Sequence, residues 1–493
     1  MRVALQLVDL RDIAHPWTKE YQGPMKDVFA LQGEITRDVA AQLQKQLSPN
    51  EKAVLDTPPT TDLRAYDLYL QARAVSAGTL GAEYGRVWDD VKGVIPMLKE
   101  AIARDPNFVL AYCELAKWHD EMYYVRADAP PEVVATTLTI DPRSVAEEAL
   151  EKARRLRPDS GAVHLALARH ALQINRNVEE ADIQIQLARR SLPNDGQVES
   201  IAGRVARRQD RWDEALRCFE RAISLEPRDR TLRNQLADTY RSMRRYQECD
   251  QTIESLLALT PPNKLATLPI ERAWARLEYS ADIAPVREAV DAQIAANQLD
   301  ESDVATGQLM IALWSHDADA ISRILSAKHG PAGWEGVVFP DAWFEAMAAR
   351  IRGDQPAASK AFAAARPRME ERVRLDPTDG LALSLLAIVD AGLGRTEQAV
   401  QEGKHACELY SFKTYNLQAP LVRCNLAVVY AWTGQNDLAI AELTPLIDRP
   451  ASTDIICQPT YGDFRLNPLW DPLRSDPRFE ALVQRLAPPP PKQ

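Results

Sequence analysis

The sequence predicts an all-α fold, an α-solenoid of about nine or ten antiparallel helix pairs behind a short β-hairpin and one helix. Three observations carry this expectation. Ala, Leu, Arg and Glu dominate the 493 residues, and all four favour helix. Apolar columns recur at a constant step, with Pro193, Pro227 and Pro261 separated by 34 residues each time. Each column set runs as one helical face and then meets a proline, which stops a helix.

The amino-terminal elements come first. Val3, Leu5 and Leu7 alternate with polar neighbours, and Trp17 and Tyr21 follow a turn, which predicts a β-hairpin. Two strands alone are marginally stable, so residues 1–24 are expected to be loosely held. A helix from Met25 to Leu47 should follow, ended by Ser48-Pro49, then a Thr/Pro linker beginning at Thr57. The expected divisions are 1–56 (hairpin and helix), 57–64 (linker), 65–261 (first array), 262–377 (degenerate helix pairs), 378–449 (last pairs), 450–487 (extension with a short helix) and 488–493 (disordered Pro-rich tail).

Within the first array the columns are explicit. Ala181, Ile185, Ala188 and Pro193 align with Ala215, Phe219, Ala222 and Pro227, and with Cys249, Ile253, Leu256 and Pro261. Ala146, Leu150, Ala153 and Pro158 lie one unit earlier, and Val94, Leu98, Ala101 and Pro106 earlier again. Downstream, Ala365, Met369 and Pro377 fit in part. A second helix precedes each of these. It carries Tyr112-Leu115-Ala116-His119, His164-Leu167-Ala168-Ala171 and Arg233-Leu236-Ala237-Tyr240, with Leu386-Ala387 and Leu426-Ala427-Tyr430 near the end. Turns such as Arg208 to Trp212 and Gly394 to Thr396 separate the two helices. Small residues allow close helix approach, Phe219 fills the space between helices, and Pro227 ends the unit. One hairpin cannot bury its apolar face, so neighbouring hairpins must stack.

This pattern resembles the tetratricopeptide repeat (TPR) family, most clearly over 107–261 and 378–447, whereas 262–377 keeps the helix-pair periodicity and loses the columns. The resemblance implies a right-handed solenoid, no cofactor, and a protein or peptide partner on the concave face. The segment from Val3 to Ser48 resembles the last part of a TolB-like amino-terminal domain. In bacterial multi-domain proteins that domain often sits between a kinase, cyclase or winged-helix module and a TPR array. Ala65 to Ala74 and Asn467 to Leu486 resemble the usual start and end of such arrays. The first half of the TolB-like domain and the signalling module do not appear in this sequence. Either the reading frame opens further upstream or the chain is a remnant that works alone.

Composition and motifs exclude other classes. No apolar run approaches the ~20 residues of a membrane span; the longest, Leu381 to Val389, is broken by Ser384 and ended by Asp390. Met1 to Leu10 contains Gln6 and Asp9 and does not read as a secretory signal. The six cysteines (113, 218, 249, 407, 424 and 457) are scattered, which suits reduced thiols in a cytoplasmic protein. A net charge of −11 argues against bulk nucleic-acid binding. Phosphate-cradling glycine loops, zinc-protease and nucleophile-elbow motifs are missing, so the chain is expected not to be an enzyme and to need no metal. His164 and His170 lie six apart on different helix faces and are not expected to share a metal. Cys249 sits in a small-residue column and Cys218 beside Phe219; both are expected to pack. Cys407 and Cys424 fall in separate helices, short of a zinc set. The pairs Asp89-Asp90 and Glu147-Glu148 read as solvated surface, and Trp212, Trp274, Trp314 and Trp432 as packing. An enzyme site would have to use His329, Trp334, Asp341 and Trp343, which packing of helix ends also explains.

One local signal stands out. Residues 152–245 carry 20 Lys/Arg against 13 Asp/Glu, a surplus of 7 inside an acidic chain. By repeat register Arg169, Arg204, Arg207, Asn234, Asp238 and Arg241 face inward from the first helix of each pair. Guanidinium forks suit carboxylates, so this strip is expected to take an acidic or C-terminal-carboxylate peptide. The leading expectation is a non-catalytic interaction scaffold. The alternative is the regulatory or sensor part of a bacterial signal-transduction or transcription-regulating protein whose effector module is missing here.

Overall fold

The computed structural model describes residues 2–9, 12–23, 28–42, 58–79, 87–124, 140–260, 267–334, 337–413, 415–451 and 457–488. Ser48-Pro49, Thr57, Pro261 and the tail residues 489–493 lie outside the described residues. The fold is all-α, with two small two-stranded antiparallel sheets. The chain divides into two compact units: the first comprises most of residues 1–198, and the second comprises 176–178 and 199–493 with a short stretch of 125–131.

In the first unit, strands β1 (Arg2–Asp9) and β2 (Asp12–Gln22) pair with Val3 opposite Tyr21 and Leu5 opposite Lys19. Helix α1 (Val28–Gln42) lies against them; Asp38 accepts from the Lys19 ammonium (2.5 Å) and the Tyr21 hydroxyl (2.9 Å). The hairpin therefore has a helix to pack on as well as its own ladder. Three helix pairs follow: α2 (Leu63–Thr79) with α3 (Val87–Arg104), α4 (Val109–Tyr124) with α5 (Pro142–Leu156), and α6 (Gly161–Gln173) with α7 (Val178–Ser191). Helix α5 shows how the sequence sets the pattern. Asp141 caps its first turn through the Arg143 amide, Pro142 occupies a position with no amide to satisfy, and the column residues Ala146, Leu150 and Ala153 are buried.

The division between the units falls within α8 (Gly196–Arg208). Its partner α9 (Trp212–Leu225) is followed by α10 (Arg230–Ser242), α11 (Tyr246–Leu259), α12 (Leu268–Ser280), α13 (Ala284–Ala295), α14 (Glu301–Trp314) and α15 (Ala318–Ser326). Strands β3 (Ala332–Trp334) and β4 (Val337–Phe339) form a small hairpin. Helices α16 (Asp341–Ile351), α17 (Gln355–Leu375), α18 (Gly380–Gly392), α19 (Thr396–Leu409), α20 (Ala419–Trp432) and α21 (Asn436–Leu443) complete ten pairs among the described residues. Helix α22 (Tyr461–Leu466), a 3-10 turn (Pro468–Leu473) and α23 (Pro477–Leu486) close the end around fully buried Trp470.

Close packing explains the small-residue columns. A Cβ on Gly203 would stand 2.9 Å from the Phe219 ring, so the α8–α9 contact depends on a bare backbone at that point. The irregular 262–377 region is aromatic instead. Trp274 and Trp314 meet edge to face at 5.2 Å, and Trp343 packs against Phe339 and Phe344 at 4.8 and 5.1 Å. Large rings have replaced the small-residue columns there, which is why the sequence period fades while the helix pairs persist.

Candidate functional site

The six residues expected at the inner register fall on three helices, each the first of its pair. Arg169 is half-buried on α6 in the first unit. Arg204 and Arg207 on α8 and Asn234, Asp238 and Arg241 on α10 belong to the second unit. The structure brings α8 and α10 into direct contact: Arg207 donates to the Thr239 hydroxyl and the Gln235 side-chain oxygen, each at 3.2 Å, and lies 5.8 Å over the Phe219 ring.

Arg241 differs from the rest. Its Nε and Nη2 both reach Glu278 Oε1 on α12, at 2.9 and 2.5 Å. The Arg241 side chain is 13% exposed and that of Glu278 is 4% exposed. Burial opposes the guanidinium charge, but the Glu278 carboxylate outweighs it and raises the pKa further. An internal acid 37 residues away therefore already occupies the fork that sequence register assigns to a partner. Register gives the direction in which Arg241 points and carries no information about what stands opposite.

The first unit holds polar residues that the charge window beginning at 152 left out. Lys117 on α4 follows Leu115-Ala116 as Arg169 follows Leu167-Ala168, so the column itself marks it. Its ammonium meets Glu114 at 3.1 Å, with the two side chains 11% and 12% exposed. Burial lowers the Lys117 pKa, and nearby Arg169 adds to the effect. Asp120, one turn on, accepts from His170 Nδ1 at 2.8 Å; burial raises its pKa against that bond.

The inner register of the last pairs is closed. Ser384, Ile388 and Ala391 on α18 and Cys424, Val428 and Ala431 on α20 are all buried, and Asn425 donates to the Ser384 hydroxyl at 2.9 Å. Compared with α18 and α20, the corresponding positions of α8 and α10 in the second unit and of α4 and α6 in the first are more polar.

Other candidate chemistry resolves into packing. His164 meets Gln184 at 2.7 Å while His170 meets Asp120, so the two imidazoles have separate partners. Cys249 is fully buried, and burial pushes its thiol up to about 12; Cys218 is buried as well. Burial likewise pushes the Cys407 thiol up to about 12. Among the described residues no group of three or more His, Cys, Asp or Glu side chains could hold a metal ion. His329 Nε2 stands 3.5 Å from Asp341, while Trp343 is turned into the ring cluster, so these three residues do not converge on one point; the Trp334 side chain lies outside the described residues. On the last pairs, Asp390 is fully buried and takes both arms of Arg366 at 2.8 and 3.1 Å. Burial, with the Asp390 carboxylate beside it, pushes Glu402 up to about 7.

Among known protein families, the tetratricopeptide repeat model matches residues 200–229, which take in most of α8, the turn and α9. The chain is 30% identical over 73 residues to a putative adenylate cyclase 3 of Rhizobium meliloti (strain 1021). That stretch is 15% of this chain, and the chain spans about an eighth (12%) of the length of that curated relative. Among solved structures, the APC/C hetero-tetramer Cut9-Hcn1 aligns with 92% of this chain and 74% of its own at 13% identity and a TM-score of 0.45. PilW, a type IV pilus biogenesis factor, aligns over 50% of this chain and 98% of its own at 14% identity and a TM-score of 0.35. No helix among the described residues is long and apolar enough to cross a membrane.

Proposed function

We propose that this chain is a non-catalytic protein-interaction scaffold, cytoplasmic in location, which binds an acidic peptide or a C-terminal carboxylate along the inner helices. The observation that carries this reading is the half-buried basic pair Arg204 and Arg207 on α8, with Arg207 bonded to Thr239 and Gln235 of α10, the helix that carries half-buried Asn234 and Asp238. Arg169 offers a further guanidinium in the first unit. Within the second unit the stacked hairpins α8–α9 and α10–α11 present such side chains together, and guanidinium groups bind carboxylates with paired, charge-assisted hydrogen bonds. Arg241 takes a supporting role, because Glu278 neutralises it.

The test is charge reversal at Arg204→Glu and Arg207→Glu, with binding of a labelled Asp/Glu-rich peptide read by fluorescence anisotropy. Binding should fall at least about tenfold while helicity by circular dichroism is unchanged, since two charge-assisted contacts are lost. Unaltered peptide affinity would sink the reading. Arg241 is left intact in this experiment, since reversing it would place two acids side by side in a buried site.

A second reading is supported by the similarity to the cyclase relative. On it, this array is the regulatory or sensor part of a bacterial signalling protein. Reading the DNA upstream of Met1 for an in-frame cyclase, kinase or winged-helix segment decides between the two.

A further inference from the structure

In the eight pairs from α6–α7 onward, the turn joining the two helices contains one residue with a left-handed backbone, and in two of them it is Ala281 or His316. In three later pairs it is glycine, with Gly353, Gly394 and Gly434 at φ of 74°, 75° and 75°. Glycine has no Cβ to clash there. In three successive earlier pairs the same place holds Arg176, Asp210 and Arg244, at φ of 53°, 58° and 57°. These positions also step by 34 residues. A long side chain is uncommon in this backbone region and persists where surrounding contacts fix it.

All three side chains reach the C-terminal part of the second unit. Arg176, which belongs to that unit, lies 4.5 Å over the Tyr415 ring and 5.7 Å over Tyr410 and hydrogen-bonds the Tyr415 hydroxyl. The two tyrosine rings are themselves stacked at 4.1 Å. Asp210 accepts from Asn416 Nδ2 at 2.9 Å and pairs with Arg449 at 3.2 Å. Asn416, 3% exposed, also donates to the Arg207 carbonyl at 2.8 Å, at the C-terminal end of α8. Arg244 donates to the Pro459 carbonyl (3.0 Å) and the Leu446 carbonyl (3.3 Å), and the Ala451 amide donates to the Ser242 carbonyl at 3.3 Å.

We propose that Arg176, Asp210 and Arg244 form a clasp that holds Tyr415 and Asn416, residues 446–451 and Pro459 against the turns that carry the three residues, half-closing the α8 and α10 side chains named above. The consequence for a partner rests on the function proposed above; the clasp itself does not. Closed, it leaves Arg204, Arg207, Asn234 and Asp238 half-buried. Open, it exposes them to a chain entering from that side. The Asp210–Arg449 link has both side chains nearly half exposed (49% and 41%), so added salt weakens it.

The test uses the full chain with a reporter thiol, Asn234→Cys, labelled by a bulky maleimide against a background chain lacking the reporter. Asp210→Gly with Arg244→Gly deletes both side chains at positions whose backbone suits glycine, so the turns remain formed. Labelling of the reporter should rise about tenfold in the double variant through local opening. Hydrogen exchange should quicken at the Ala451 amide. High salt should speed labelling of the parent and leave the double variant unchanged. Labelling and exchange equal to the parent's would overturn the clasp, because glycine would then only have relieved backbone strain. If the variant opens and still binds no acidic peptide, the clasp stands and the partner reading fails.

Discussion

Replacing Arg241 by Met tests whether that residue holds the fold or waits for a partner. The substitution removes the guanidinium and leaves the Glu278 carboxylate, 4% exposed, without the two bonds it now accepts. Breaking one side of a buried pair costs about 3–5 kcal/mol, because the surviving charge is stranded in a poorly solvated site. Replacing both partners, Arg241→Met with Glu278→Leu, removes the charge problem and is expected to lie within about 1 kcal/mol of the parent. Urea unfolding of the three variants and the parent forms a double-mutant cycle whose interaction energy reports the pair directly. A single substitution costing under about 1 kcal/mol would refute the reasoning, since the pair would then be behaving as an exposed one. Arg241 would in that case return to the proposed binding set beside Arg204 and Arg207.

Three further outcomes are expected. Asp463→Ala orphans the Gln458 amide, the Asn467 side-chain amide and the Trp470 indole N–H, which it accepts at 3.2, 2.8 and 2.7 Å; loss of about 3 kcal/mol in urea unfolding is expected from buried donors left unpaired, and a loss below about 1 kcal/mol would count against this network as the lock of the C-terminal cap. Gly203→Ala drives a methyl against the Phe219 ring, 2.9 Å from the ideal Cβ, and should cost about 1–3 kcal/mol by overpacking; an unchanged thermal midpoint would mean that the ring moves freely. Glu402 has its folded pKa raised to about 7 by burial. The folded state therefore binds a proton that the unfolded state has already released, and the contribution is present at low pH and lost as pH rises through about 7. Relative to Glu402→Gln, the parent should lose about 1 kcal/mol between pH 5 and pH 8, a figure reduced for solvent screening; parallel stability curves would contradict the assignment.

The helix pairs were legible because their cause is repeated locally. Ala215, Phe219, Ala222 and Pro227 state a close approach, a filled gap and a stop within one short stretch, and the same statement returns one unit later. The amino-terminal hairpin was legible for a similar reason, since alternation is a property of neighbours, whereas the pairing of Val3 with Tyr21 also depends on the turn and was not readable from it. The site was legible only as direction. Repeat register puts Arg207 and Arg241 on the inner side, but Gln235, Thr239 and Glu278, which engage them, come from other helices and follow no period. Closure of the last pairs was hidden for the same reason: the buried inner residues of α18 and α20 look like any apolar repeat positions until the long-range contacts exist.

The turn residues lie between these two cases. Gly353, Gly394 and Gly434 recur because the backbone demands them. Arg176, Asp210 and Arg244 hold the same place in three successive earlier pairs, and Ala281 and His316 hold it in the next two, so the backbone position alone does not single the three out; their long-range contacts do. A repeat sustained by packing tolerates a residue that fits it poorly when contacts elsewhere hold that residue in place. Arg176 with Tyr415, Asp210 with Asn416 and Arg244 with Pro459 are such contacts, each more than two hundred residues away in sequence. In an ideal solenoid each unit meets only its neighbours, and stability is approximately additive along the chain. These three bonds join units that are not neighbours, so the second unit should unfold as one cooperative body rather than fraying from its end. A single unfolding transition shared by α10 and α20 in hydrogen exchange would follow from that, and early, separate loss of α20 would contradict it.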